Sequence, residues 1–434
     1  MFPKLKLSYK ASVTILFCLV ALEILFTTFL RATLLSPVMN GVLLFVISLL
    51  IGLYPFITTT EAPDSATGLS RQSQQFRNYG WWFFAALNFV FWARYLNLYP
   101  VNVTDSDVIP QIEMLVKRQQ QGVFPYTVIR DWGYDFFPTY LPFTWWPFHI
   151  TEFMMVDYRY LVFGSWLLLL FIFSKQLEED NNADRSDFFL FLLLQLLFWG
   201  YLFASDLSFM RTVELMIASY YAYFLFSLEK RKWWMIGGTL LLCLLSRYSI
   251  VLWLPFLVLL LAKKDGVPSV FKWIGFIVTG VCLLYVVPFL LKDLSIFLRG
   301  VQTYTIAGIA EWKGQAWQAQ GEKPFQLFRG TGLAGFYYDR SSGTVEEKLG
   351  TFKTIHLVLS LSTVFLLAAW YWLLGKKQKL YVPLVAAAAL KIYMAVFYGF
   401  VLIPYVYLNI VPLISSVFVL YYIRQQSRIS QISV

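Results

Sequence analysis

Two acids one residue apart, Asp105 and Asp107, follow the end of an apolar run and open a polar connection too long merely to join two helices. A carboxylate so placed can take the proton from a hydroxyl as a general base, or hold a divalent cation with its neighbour. The same residues also suit a helix start, because Thr104, Asp105, Ser106 and Asp107 are all good caps for a helix over Val108–Gln121. Alone, the D-x-D spacing favours the cap. The other chemically capable groups are charges inside apolar runs: Glu23, Arg94, Arg211, Glu214, Arg247 and Lys391. A charge at mid-bilayer costs about 2.5–3.5 kcal/mol on insertion scales, so each needs a partner or an aqueous cavity. Arg211 and Glu214, three apart, are expected to pair on one helix, and Arg94 can snorkel from the outer end of its run. Arg247 interrupts a long run near its middle and can meet a lipid phosphate, with Lys391 a weaker candidate. Structural pairing is an equal expectation for each of these cations.

The elements that must position these groups are membrane helices. With 59% hydrophobic and 14% charged residues and a mean hydropathy of +0.61, a soluble globular chain is excluded. Aromatics at 19% suit many crossings of a membrane–water interface. The run Ala11–Leu30 follows Lys4, Lys6 and Lys10 but is too long for a signal-peptide core, contains Glu23 and lacks a small-residue cleavage site, so it reads as a retained helix. Further spans are expected at Val38–Thr58, Gly80–Tyr99, Tyr158–Ser174, Asp187–Phe203, Leu207–Leu228, Trp233–Ala262, Phe271–Leu291, Ile355–Leu374, Leu380–Phe397 and Val401–Ile423. Trp233–Ala262 would make a helix of about 45 Å against a hydrocarbon core of about 30 Å. Basic residues flank it at both ends, Lys230–Lys232 and Lys263–Lys264, so a hairpin of two short helices fits better than one tilted span. The expectation is an all-α polytopic bundle of about twelve crossings.

Charge placement orients it. Lys4/Lys6/Lys10, Lys230–Lys232, Lys263/Lys264, Lys376/Lys377/Lys379 and Arg424/Arg428 then share one face, which the positive-inside rule makes cytoplasmic, along with both termini. The acidic stretch Glu178–Asp187 is the exception, and acids count little in that rule. The net charge of +10 therefore sits largely at helix ends, and nucleic acid is not an expected partner. Two long loops, Val101–Asp157 and Lys292–Lys353, fall on the opposite face. The polar segment Thr59–Asn78 reads as a linker, which divides the chain into an N-terminal hairpin and linker (1–78), a membrane core (79–291) with its first outer loop (100–157), a second outer loop (292–353) and C-terminal helices (354–434). The three cysteines lie inside apolar runs and there are only two histidines, so a disulfide framework and Cys or His metal chemistry are not expected. No 20–50-residue repeat or inverted repeat is visible, which argues against a secondary transporter.

Within the first outer loop, Gly122 and then Pro125 end the expected helix, and Tyr126 follows. Closely spaced prolines with aromatics come next, Phe137-Pro138-Thr139-Tyr140-Leu141-Pro142 and Trp145-Trp146-Pro147, suggesting a broken helix at the interface or a hydrophobic cap on the bundle. The second outer loop carries Glu311, Trp312, Trp317, Tyr337, Tyr338, Asp339 and Arg340, which suit a sugar or lipid-headgroup surface and equally an interfacial helix. Asn102-Val103-Thr104 is a glycosylation sequon, relevant only in a eukaryotic secretory pathway.

The order Thr104-Asp105-Ser106-Asp107, short helix, Gly122-x-x-Pro125-Tyr126, then the Tyr134 to Pro142 stretch resembles the first loop of GT-C glycosyltransferases. It is most similar to polyprenyl- or dolichyl-phosphate-mannose users, namely the first mannosyltransferase of GPI-anchor assembly and bacterial family-87 enzymes. The family's tandem prolines after a tyrosine are replaced here by Phe137-Pro138 and Pro142. Ser205-Asp206 resembles the family's short polar motif, Arg247-Tyr248 with Leu254-Pro255 its broken helix pair, and Asn409-Ile-Val-Pro412 its last-helix ending. The likeness covers Asn97 to Leu413.

What the resemblance implies is a GT-C-like bundle acting on the outer or lumenal face, in a bacterial inner membrane or the endoplasmic reticulum. A sugar, mannose by the likeness, would pass from a polyprenyl phosphate to a hydroxyl of a lipid, glycan or protein acceptor. Asp105 or Asp107 would be the base. Arg247, with Arg211 and Lys391, would meet the donor phosphate, and Tyr126, Asp206 and Tyr248 would bind substrate. No bound cofactor is expected; cations holding the phosphate would make a metal unnecessary, although a divalent ion at the two acids stays open. The competing expectations are a transporter or flippase for lipid-linked sugars and a non-catalytic glycolipid-binding subunit.

Overall fold

The computed structural model describes residues 5–31, 33–60, 71–130, 132, 135–179, 185–314, 318–319, 321–373 and 381–432. It is 76% helical. The named strands are β1 (Leu5–Leu7) and β2 (Thr58–Thr60), paired in parallel with Leu5 opposite Thr58. They clip together the two ends of a helical hairpin, α1 (Tyr9–Thr27) and α2 (Pro37–Ile57). Each helix starts at a serine whose hydroxyl accepts a first-turn amide, Ser8 from Ala11 at 3.3 Å and Ser36 from Met39 at 3.4 Å.

Next come α3 (Arg71–Leu98) and the first long loop, which holds α4 (Val108–Gln120) and two short turns, α5 (Pro142–Trp145) and α6 (His149–Phe153). The chain re-enters the bundle as α7 (Arg159–Glu179) and α8 (Arg185–Trp199), the latter widening into a π-turn over Gly200–Ala204. One helix expected over Leu207–Leu228 is two, α9 (Ser208–Arg211) and α10 (Glu214–Lys230), because Thr212 is extended, with ψ 173°. After α11 (Trp233–Leu244), α12 (Leu254–Asp265) and α13 (Val267–Val281), π geometry over Cys282–Leu290 absorbs Pro288, which has no amide to donate. The second long loop folds into α14 (Ile296–Lys313) and α15 (Ala334–Arg340) before α16 (Val345–Leu373), α17 (Val382–Gly399) and α18 (Ile410–Ile432).

Eight of the described helices are long and apolar enough to cross a bilayer: α1, α2, α7, α8, α13, α16, α17 and α18. The chain is a multi-pass membrane protein. The expected count near twelve also drew on α3, which opens on polar residues, and on α10, α11 and α12, of 17, 12 and 12 residues. The polar linker is shorter than expected, since α3 already begins at Arg71; residues 61–70 lie outside the described residues, as do Lys4, Tyr134, Trp317, Lys376, Lys377 and Lys379.

The core centres on α17 and α18, of whose spans 89% and 83% are buried. Helix α2 crosses α17 closely because Gly52 meets the run Ala386–Ala389: a Cβ on Gly52 would sit 3.1 Å from the Ile392 nitrogen and 3.3 Å from the Ala388 oxygen. Small residues at such crossings let backbones approach, which is how helices associate where lipid removes the hydrophobic drive. The run Trp233–Ala262 is broken as its flanking charges imply. Leu241 of α11 meets Gly280 of α13, and Trp233 lies against Phe276, so these two run parallel with α12 returning between them in sequence. Arg231 before α11 pairs with Asp265 at the end of α12. Both basic flanks therefore lie at one end of the bundle, where Lys263 also stacks on Trp372 at 3.5 Å.

Candidate functional site

Helix α4 is built to hold Asp107 at its head. Its buried face, Ile109, Ile112, Leu115 and Val116, packs into the core, and its last turn closes on Gly122, whose φ of +71° suits a residue without a Cβ. The Arg118 guanidinium then fastens the following loop by donating to the Pro125, Thr127 and Val128 carbonyls at 3.1, 2.6 and 3.1 Å. At the other end, Asp107 occupies the cap position but makes no side-chain cap bond. Ser106 takes the local role instead, donating to the Arg211 carbonyl at 3.0 Å and accepting from the Val108 amide at 3.4 Å. The capping explanation for Asp107 is thereby removed. Burial raises its carboxyl above the ordinary value of 3.8, against a smaller opposing pull from its own backbone N–H.

Asp105 sits differently. Its side chain is 52% exposed and lies 4.0 Å from the Arg211 guanidinium, in a groove walled by Tyr99, Asn102, Ser106, Ile109 and Met210. The groove is pinned from beneath by Arg159, which pairs with Asp157 at 2.6 Å and donates to the Tyr99 carbonyl at 2.6 Å and the Met210 carbonyl at 3.4 Å.

The aromatic segment after Tyr126 hangs on the tip of the α11–α12 hairpin. The Phe143 amide donates to the Leu245 carbonyl at 2.8 Å, and the Thr144 hydroxyl to the Ser246 carbonyl at 3.0 Å. Tyr126 is buried below this segment. Its hydroxyl donates to the Tyr140 carbonyl at 2.8 Å and accepts from the Trp145 indole at 3.2 Å. Tyr126 is thus a pin that aims Tyr140, with both hydroxyl functions occupied.

Arg247 stands at the same tip, in extended backbone just before a 3-10 turn over Tyr248–Trp253. The tip is held by Ser249, whose hydroxyl meets those of Tyr221 and Tyr398 at 3.1 Å each, while Tyr393 donates to its carbonyl. Arg247 pairs with Glu214, the first residue of α10. The expected Arg211–Glu214 pair does not form, because the chain leaves helical geometry between them at Thr212 and the i,i+3 relation is lost. Glu214 Oε2 and Arg247 Nε are buried without a hydrogen-bond partner among the described residues. Tyr248, half exposed, packs edge-on to Phe297 at 5.7 Å beside Arg247.

Asp107 and Arg247 act on one set of tyrosines. Both lie within electrostatic reach of Tyr140 and Tyr407. Burial raises the Tyr140 phenol; Asp107 adds to the shift and Arg247 opposes it. Arg247 also reaches Tyr304, whose phenol burial pushes up to about 12. Tyr405 stacks on Tyr407 at 5.2 Å and donates to Glu311 at 3.3 Å; burial, then Glu311, Tyr304 and Asp107 raise it well above its usual range. A carboxylate biased toward accepting a proton and a cation with an unused N–H thus bear on the same buried tyrosines.

The remaining expected site residues lie elsewhere. Lys391 is buried in α17, where its ammonium donates to Glu23, to Ser48 at 3.0 Å and to the Pro412 carbonyl at 3.2 Å. Asp206, in left-handed backbone with φ 53°, accepts from Arg31 at 3.1 Å and from Arg329. In the second long loop, Trp312 is buried and donates to the Leu402 carbonyl at 2.8 Å, with Tyr337, Tyr338 and Phe352 packed around it. Trp312 and Phe352 belong to that region's core, with Tyr337 and Tyr338 partly buried against them. Asp339 pairs with Lys323 at 2.6 Å and Arg340 lies over Phe336. Among the described residues no three His, Cys, Asp or Glu side chains gather in a metal-binding group.

Tyr304, Tyr405 and Tyr407 join the site without having been singled out in the sequence, whereas Glu214 was expected to pair with Arg211 and Tyr140 was noted only within the proline–aromatic stretch. The one available signal was the alternation Tyr405-Val406-Tyr407 just before the last helix. No family model matches the chain, and neither a curated protein nor a solved structure matches it.

Proposed function

We propose that the chain is an integral membrane glycosyltransferase of GT-C type, moving a sugar from a polyprenyl phosphate to an acceptor hydroxyl. The observation that carries this reading is Asp107: a half-buried carboxylate, uncommitted as a cap, that bears on the same tyrosines as Arg247. In the reaction, Asp107 takes the proton of an acceptor hydroxyl on a lipid, glycan or protein. That oxygen bonds to the anomeric carbon from the face opposite the phosphate, and the bond from carbon to phosphate oxygen breaks. The electron pair leaves with the polyprenyl phosphate, and the anomeric configuration inverts. Arg247 stabilises the departing charge, and Arg211, beside the more exposed Asp105, can guide the phosphate in. Asp105 stays the alternative base. Lys391 has no part in this step, its donors being engaged by Glu23, Ser48 and Pro412.

By the resemblance the sugar is mannose. The bundle crosses about twelve times if the short helices span, with both termini cytoplasmic by the basic flanks, and the site faces outward or into a lumen. The membrane is a bacterial inner membrane or the endoplasmic reticulum.

One observation favours a second reading as a transporter or flippase for lipid-linked sugars. Glu23 and Lys391 are an ion pair buried in membrane helices, and such groups line many transport pathways. Membranes containing the chain separate the two. Given radiolabelled polyprenyl-phosphate mannose, they should transfer label to endogenous lipid or protein, in a linkage of opposite anomeric configuration to the donor. No transfer across several sugar donors and acceptors, with donor movement across reconstituted vesicles, would favour the transporter.

A further inference from the structure

The charges around Asp206 do not balance. Arg31, between α1 and α2, and Arg329, in the loop before α15, both donate to the same carboxylate oxygen of Asp206. Their side chains are only 13% and 16% exposed, whereas that of Asp206 is 47% exposed. Arg31 Nη1 and Arg329 Nε are buried with no hydrogen-bond partner among the described residues. Burial, with the like charge of Arg31 second, pulls the Arg329 guanidinium down to about 10. Two cations thus share one anion and carry a net charge of +1 with unused donors.

The setting is interfacial. Phe29, Leu34 and Leu35 along the α1–α2 connection and Met39 in the first turn of α2 present exposed apolar side chains. Arg329 lies over the half-exposed ring of Phe325 at 4.4 Å. The backbone that carries Arg329 is fixed, since Asn40 donates to the Gly330 carbonyl at 2.5 Å and Thr331 to the Pro404 carbonyl at 2.8 Å. A preformed pair of guanidiniums against apolar surface matches an anionic headgroup with its acyl chains alongside.

We propose that Arg31 and Arg329 form a phosphate-binding site separate from the Asp107–Arg247 site, occupied by the phosphodiester of an anionic lipid. One phosphodiester charge neutralises the excess of the trio, and its oxygens take N–H groups that Asp206 alone does not satisfy. Asp206 competes with the ligand while holding the two arginines together. The same chemistry would accept free phosphate.

The test is retention of phosphatidylglycerol by the full chain purified from mixed phosphatidylcholine–phosphatidylglycerol vesicles, followed by native mass spectrometry with inorganic phosphate as competitor. Arg31→Gln with Arg329→Gln should weaken retention about tenfold, and Asp206→Asn should strengthen it. Competition by millimolar inorganic phosphate would assign the site to phosphate in general; resistance to it would assign the lipid headgroup. Where the double glutamine variant does not fold, Arg31→Lys with Arg329→Lys, which keeps the charge, should retain lipid while Asp206→Asn still tightens it. Equal retention by wild type and the glutamine variant, or weaker retention by Asp206→Asn, would overturn the proposal.

Discussion

Two buried ion pairs divide this molecule into a part that is finished and a part that is not. The Lys391–Glu23 pair joins four helices: Glu23 from α1, Ser48 from α2, Lys391 from α17 and Ser416 from α18, with the Pro412 carbonyl taking a further N–H. The ammonium has three partners, and both carboxylate oxygens are engaged. The Arg247–Glu214 pair is comparably buried on the acid's side, yet each member keeps an unpartnered polar atom, and Asp107 stands within reach of the same tyrosines. A fully satisfied network holds a fold together, whereas an under-satisfied one beside a carboxylate of raised affinity for protons is where chemistry is expected.

The comparison breaks most sharply on Lys391. Changing Lys391→Met leaves Glu23 buried without its cation and should destabilise the chain by about 3–5 kcal/mol. Adding Glu23→Gln should restore most of the loss, and both effects are read from the melting temperature in detergent. Activity per folded molecule should change little. Arg247→Gln should show the reverse pattern, lowering kcat by about 10²–10³-fold. Its loss of stability should be smaller, because the glutamine amide can still donate to Glu214, which is as buried as Glu23, whereas methionine offers Glu23 no donor. Equal destabilisation by both variants, with equal activity, would erase the distinction.

How far the sequence carried this account depends on the range of each contact. The α11–α12 hairpin was legible because a single span of the thirty-residue run would put its two basic flanks on opposite sides of the membrane, and Arg231–Asp265 now joins those ends. Helix α4 and its glycine stop were legible from local chemistry. The partner of Arg247 was not. Glu214 looked committed to Arg211 until the extended Thr212 turned the two apart. The partner of Lys391 lies in the first helix, and no local pattern announces it. Nor could spacing tell that Ser106, rather than Asp107, would serve the start of α4.

Smaller effects sharpen the same picture. Tyr126→Phe removes the donor to Tyr140 and the acceptor for Trp145, and should cost about 1–3 kcal/mol with a milder loss of kcat as Tyr140 loses its aim. The pH profile offers a subtler check. Burial raises the Asp107 carboxyl above 3.8, so the base should be protonated, and kcat/KM should fall, at a higher pH than an ordinary aspartate would give. The stability effect has the opposite sense: the neutral form fits the fold better, so the contribution of Asp107 is present below its unfolded value and is lost as pH rises through the folded one.

The central claim is that Asp107, not its neighbour two residues away, is the proton acceptor. Sugar transfer from polyprenyl-phosphate mannose, measured in membranes with matched levels of wild type, Asp107→Asn and Asp105→Asn, tests it directly. The account predicts a loss of about 10²–10⁴-fold in kcat for Asp107→Asn, with Asp105→Asn affecting chiefly KM through the Arg211 groove. Full transfer by Asp107→Asn, with transfer abolished in Asp105→Asn, would contradict it.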